Sequence, residues 1–136
     1  MNRYRIFTAL AACAALALSG CAGSGHDLYE DEQTATDVLP EDVAAGDNDW
    51  NTSTSRLLAT HDGYQFYVFA STTGDDCLMT YDPQRPENWV VGCAPTGSLG
   101  TTNPTGIKTK LDPAGLPEET PTGWIRLTPE LEVTGI

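Results

Sequence analysis

The stretch CLMTYDPQRPENWVVGC, residues 77 to 93, begins and ends with cysteine. Such a pair can close a disulfide, exchange electrons or hold a metal. Redox exchange is disfavoured because Cys77 and Cys93 are not spaced Cys-x-x-Cys and no helix N-terminus is foreseen to lower a thiol pKa. Zinc would need more ligands, and the two histidines offer little: His26 falls in a polar stretch and His61 beside a tight turn. His61 has no serine or cysteine motif around it that would make it a general base, and its alternation with Leu57 and Ala59 makes it a rim side chain. Asp75-Asp76 and Glu118-Glu119 sit next to turn residues, where solvated acids are the rule. Asp47, Asp49, Asn51 and Ser53 alternate like the first half of a calcium loop. Thr52 then replaces the required glycine and Leu58 the closing glutamate, so a polar linker is expected instead. No catalytic residue, no metal site and no cofactor is assigned, and an enzyme is the minority reading.

The N-terminus sets the compartment. Arg3 and Arg5 precede an apolar run from Ile6 to Leu18, which is short for a bilayer span and has the flanks of a secretory signal. It ends in Leu18-Ser19-Gly20-Cys21. This order of charge, apolar run, small residues and cysteine resembles the lipobox of bacterial lipoproteins. The resemblance implies a diacylglyceryl group on the Cys21 thiol and cleavage just before it. The expected divisions are a signal peptide over 1–20, a lipidated N-terminus and disordered acidic tether over 21–55, and a domain over 56–136. Localisation follows: the cell membrane, lipid-anchored, facing outside the cytoplasm. Cys13 leaves with the signal and Cys21 carries lipid, so Cys77 and Cys93 remain as one pair in an oxidising compartment. A structural disulfide between them is the favoured reading.

The formal charge of −12 becomes about −14 once Arg3 and Arg5 are removed, since residues 1–20 contain no acid. Such a chain repels polyanions, so nucleic acid is not an expected partner. A cationic envelope protein is an allowed one.

Six stretches read as strands, with Asp62-Gly63 between the first two as a strong hairpin signal. In the expected pairing Ala59 faces Phe66 and Leu57 faces Val68. Setting Cys77 opposite Cys93 places Met79 opposite Val91 and Tyr81 opposite Trp89, all on one sheet face. The first hairpin joins that face if Ala70 lies beside Cys77. IKTKL alternates, with Ile107, Thr109 and Leu111 inward and both lysines outward. Pro129 breaks WIRLTPELEV. The stretch from Thr96 to Gly106 reads as loop, and VLPEDVAA allows a turn of helix starting at Pro40. The expected fold is all-β: a small antiparallel meander, barrel-like or an open sandwich, of about six strands with one disulfide. The bridge should contribute about 3 kcal/mol for a loop of ~15 residues.

Arg56, Leu57, Gly63, Tyr67, Val68, Cys77, Leu78 and Cys93 also resemble the pattern of a small extracytoplasmic domain in envelope proteins of high-GC Gram-positive bacteria. That resemblance carries no activity. The resulting expectation is a membrane-anchored surface lipoprotein with a non-catalytic binding or accessory module. An acidic inhibitor or regulator of a cationic envelope enzyme is the alternative. Arg85, Trp89 and Tyr67 are the candidate contact residues, with Arg85 and Trp89 in or beside the proline-rich loop between the cysteines.

Overall fold

A computed structural model describes residues 28–46 and 49–136; Cys13, Cys21, His26 and Asp47 lie outside them. The described chain is almost all β, in two four-stranded antiparallel sheets. The first contains β1 (Trp50–His61), β2 (Tyr64–Ser71), β3 (Asp76–Tyr81) and β4 (Val90–Ala94), in that order. The second contains β5 (Leu99–Thr102), β6 (Lys108–Leu111), β7 (Ile125–Thr128) and β8 (Leu131–Thr134), in the order β5-β6-β8-β7.

Asp62 and Gly63 form the first hairpin turn, with φ of 49° and 82°. Both positive angles are what a two-residue turn of this hand requires. Ala59 faces Phe66 as the spacing predicts. Leu57 does not face Val68, however; it faces Tyr67, because a bulge between Leu57 and Ala59 inserts Leu58 as an extra residue. The bulge turns Leu57 to the face of Tyr67 and leaves Leu58 and Ala59 together on the face of Phe66.

The next turn corrects a second expectation. Ser71 N–H donates to Asp75 O at 2.9 Å across a three-residue loop, with Gly74 at φ 89°. This tighter closure sets Phe69, rather than Ala70, opposite Cys77. One residue of slip exchanges the faces of a strand. Tyr67 and Phe69 therefore join Cys77, Met79 and Tyr81, while Phe66 and Val68 join Leu78 on the opposite side. Between β3 and β4 the expected pairs Cys77–Cys93 and Met79–Val91 are present. The ladder stops at Val90, after a short 3-10 turn over Pro86–Asn88, so Tyr81 and Trp89 share a cluster but not a ladder rung.

The second sheet brings the strand count to eight. Pro129 opens a tight turn, which makes the last stretch two antiparallel strands rather than one broken strand. β5 comes from a stretch expected to be loop; its Leu99 and Thr101 face inward. Ile107, Thr109 and Leu111 are buried, as their alternation predicts. Thr101 and Thr109 lie opposite each other and share a buried hydroxyl hydrogen bond of 2.6 Å. Leu99, Leu111, Leu131 and Val133 pack with Phe66, Val68 and Leu78 of the first sheet into one core. Of the expected architectures, the structure is the sandwich. At the junction of the sheets the packing is close at Gly92: a Cβ there would lie 2.7 Å from Thr101 Cγ2, so a side chain at this position would force a shift. On β8, Glu132 is 1% exposed and is ion-paired with Arg126, whose guanidinium also donates to Pro117 O.

The other face of the first sheet is covered from the N-terminal side. Leu39 and Val43 are buried with Tyr67, Phe69, Cys77, Met79 and Tyr81. Val43 sits on a single helical turn, α1 (Glu41–Ala44), which begins after Pro40 as the sequence allows. Upstream, Leu28 packs into the core between the sheets. The segment between them runs beside β1, an edge strand with polar main-chain groups to satisfy. Gln33 Nε2 donates to Thr52 O and Ser55 O, Ser55 Oγ donates to Asp37 O, and Leu57 N–H donates to Asp37 Oδ1. The ordered domain thus includes residues ahead of the expected start at Arg56. β1 itself begins at Trp50, and residues 28–46 form a strap across the sheet. The sequence hides this because the buried residues, Leu28, Leu39 and Val43, are few, widely spaced in an acidic stretch, and show no period.

Candidate functional site

Cys77 and Cys93 are joined by a disulfide, with Cα atoms 4.0 Å apart. Cys77 is fully buried and Cys93 exposed. The bridge ties β3 to β4 and fixes both ends of the proline-rich loop. Within that loop, Arg85 is exposed; its Nε donates to Asp82 Oδ2 at 2.8 Å and its Nη2 to the Tyr64 hydroxyl at 3.3 Å. The hydrogen bond and charge of Asp82 hold the guanidinium even more firmly protonated than usual. Trp89 is half-buried. Tyr67 is 4% exposed and belongs to the core under the strap, so the bulge and slip that turn it inward remove it from any surface contact. The three candidate contact residues are therefore not one patch.

An aromatic cluster that the sequence reading did not single out lies at the start of β1. Trp50 contacts Phe69 with ring centroids 5.0 Å apart and meets Trp89 edge-to-face at 5.8 Å. Edge-to-face pairs of this kind add stabilisation beyond the area they bury. Trp50 is the first residue of β1. The available signal was its position just ahead of a hydroxyl-rich run, Asn51 to Ser55.

That run departs from the ladder. β1 advances five residues from Asn51 to Arg56 while β2 advances two, from Ala70 to Val68. The surplus bows outward, and the Thr54 hydroxyl fills the gap by accepting Ala70 N–H at 2.8 Å and donating to Asn51 O at 2.7 Å. Between the bowed strand and the Thr72–Gly74 turn lies a groove of about 640 Å³, with Trp50 and Ala70 also lining it. This falls within the ~300–1,000 Å³ usual for small-molecule sites. None of its lining side chains carries a charge.

A second cavity, of about 290 Å³, lies between the strap and β1 and has the opposite character. Asp31, Glu32, Asp37 and Glu130 line it together with Arg56. Arg56 is committed there: its Nε donates to Asp31 O, its Nη1 to Ser55 O and its Nη2 to Tyr29 O. Burial pushes the Asp37 carboxyl up, but hydrogen bonds from Thr34 and Leu57 and the charge of Arg56 outweigh it, and the net pKa lies below the ordinary carboxylate value. This cavity is a latch that holds the strap.

The remaining expectations find these places. His61 is half-buried beside the Asp62–Gly63 turn. Asn51 and Ser53 lie on a strand, with Ser53 Oγ donating to Asn51 Oδ1 at 2.7 Å, which is not the geometry of a calcium loop. Among the described residues no three His, Cys, Asp or Glu side chains converge on a possible metal position. No helix among the described residues is long and apolar enough to cross a membrane. Comparison with known proteins finds no matching family model, no matching curated protein and no matching solved structure.

Proposed function

We propose that this chain is a lipid-anchored surface lipoprotein whose β domain is a non-catalytic binding module. The observation that carries the binding role is the uncharged groove beside the Trp50–Trp89 pair. Its lining has no titratable side chain, so what it offers a ligand is apolar surface and hydrogen bonds. The Cys77–Cys93 bridge supports an oxidising compartment. The Leu18-Ser19-Gly20-Cys21 sequence supports the anchor. Six residues separate Cys21 from Leu28, the first of the described residues and one packed into the core. At ~3.3–3.6 Å per residue that connection reaches no more than about 25 Å. An anchored domain is then held near the bilayer instead of at the end of a long tether.

Lipid labelling and fractionation of the expressed chain test the anchor. The native chain should carry a diacylglyceryl adduct and sediment with membranes, and the Cys21→Ala variant should do neither. Membrane retention of that variant without a lipid adduct would remove the anchor from the account. Crosslinking in intact cells tests the binding role, with the reagent placed at the groove. Capture that weakens steeply with salt, at the acidic strap instead, would favour an inhibitor of a cationic protein.

A further inference from the structure

We propose that the groove between the bowed part of β1 and the Thr72–Gly74 turn binds a neutral oligosaccharide; this rests on reading the domain as a binding module. Three observations point to that class. The first is charge. Acids outnumber bases 19 to 7 in the chain, yet the groove is lined without a charged side chain. The surrounding negative field disfavours anionic ligands, and the lining provides no carboxylate for a cationic one.

The second is the donor and acceptor set. On the β2 side of the groove three main-chain amides are used within the fold: Ala70 N–H on Thr54 Oγ1, Ser71 N–H on Asp75 O, and Thr72 N–H on Asp49 O. An extended peptide adding as a strand needs free main-chain groups, so that mode of recognition is disfavoured on this wall. Side-chain hydroxyl and amide groups are open to a ligand along both walls. The Asn51 amide retains two donors, and the hydroxyls of Thr52, Ser53, Thr72 and Thr73 keep donor or acceptor capacity. The groove therefore presents a rim of neutral groups suited to polyhydroxyl ligands.

The third is the aromatic ring. Trp50 is half-buried, packed against Phe69 and Trp89, and it lines the groove. A pyranose has an apolar face of C–H bonds and a perimeter of hydroxyls. It needs a fixed apolar plane together with small neutral hydrogen-bonding groups. A rigid indole gives that plane at low entropic cost.

The test is titration of the native exported protein with neutral trisaccharides (maltotriose, cellotriose, mannotriose and triacetylchitotriose) and a trigalacturonate as the anionic counterpart. Intrinsic tryptophan emission and calorimetry are the readouts. At least one neutral probe should saturate with a change in emission, and the anionic probe should bind about tenfold more weakly or not at all. Trp50→Ala should weaken binding by about tenfold or more. Because that ring also packs on Phe69, Thr52→Val and Thr72→Val serve as variants at exposed positions, each expected to weaken binding several-fold with an unchanged melting temperature. No saturation by any neutral probe up to about 10 mM, or binding unchanged in all three variants, overturns the proposal. A photocrosslinker at position 72 in intact cells separates the two levels. Capture of a protein there refutes the saccharide class and leaves the binding module standing; with neither saccharide nor protein bound, both fall.

Discussion

The two faces of the first sheet are both buried, but by different means. One packs against a second sheet, through Phe66, Val68 and Leu78 on Leu99, Leu111, Leu131 and Val133. The other packs under a strap, through Tyr67, Phe69, Met79 and Tyr81 beneath Leu39 and Val43. The second sheet brings its own main-chain ladder. The strap has one helical turn and depends on side-chain hydrogen bonds with the edge of β1, donated by Gln33 and accepted by Asp37. A face covered by regular strands opens only when the domain unfolds; one covered by a latched segment can open by itself. The groove is bordered by the edge of the bowed strand, where the strap holds on only through the Gln33 side chain, at Thr52 O and Ser55 O.

The largest effect is expected at the inter-sheet face. Phe66→Ala leaves a cavity in a fully buried site and should cost about 3–5 kcal/mol, read from the denaturation midpoint by every probe alike. Leu39→Ala, under the strap, should cost about 2 kcal/mol and be seen first as faster hydrogen exchange over residues 28–46, before the inter-sheet core responds. If both substitutions shifted all probes together, the two faces would be one cooperative unit and the contrast would fail.

Asp37→Asn should have a smaller effect, about 1 kcal/mol, from its weakened hydrogen bonds to Thr34 and Leu57. It also gives the comparison a pH dependence. The folded pKa of Asp37 is depressed, so its contribution is present above the unfolded carboxylate value near 4 and is lost as pH falls through the folded value. Protease sensitivity of the strap should therefore rise below about pH 4 in the native chain and vary less in Asp37→Asn. At the alkaline end, burial first and the charges of Asp37 and Asp42 next hold the Tyr67 and Tyr81 hydroxyls above their ordinary value. Above about pH 10 the unfolded chain ionises first, and the strapped face weakens as pH rises.

How far the chain itself discloses this contrast varies by element. The disulfide, the Asp62–Gly63 hairpin and the inward set of β6 follow from residue type and period two. The slip at Ser71–Asp75 and the bulge at Leu58 do not. Each depends on which of two closures satisfies the main chain, and both patterns leave apolar residues on both faces. β5 is short, and three of its four residues are glycine or threonine, which hides it among loop residues. The strap is legible only through Pro40, because three separated apolar residues have no period. At the groove, Trp50 is visible as a residue, but its setting is not, since the bowing of β1 depends on partners distant in sequence.

The most direct test of the strapped face is oxidation of Met79 by peroxide in the full chain, followed by mass spectrometry. Met79 is 0% exposed and lies in the cluster beneath Leu39 and Val43. Oxidation of methionine requires access of the oxidant to the thioether. The account predicts that Met79 is oxidised far more slowly than free methionine, and that Leu39→Asp, which loosens the strap, brings it close to the free rate while the inter-sheet core stays folded. Oxidation of Met79 at the free rate in the native, folded chain would contradict it.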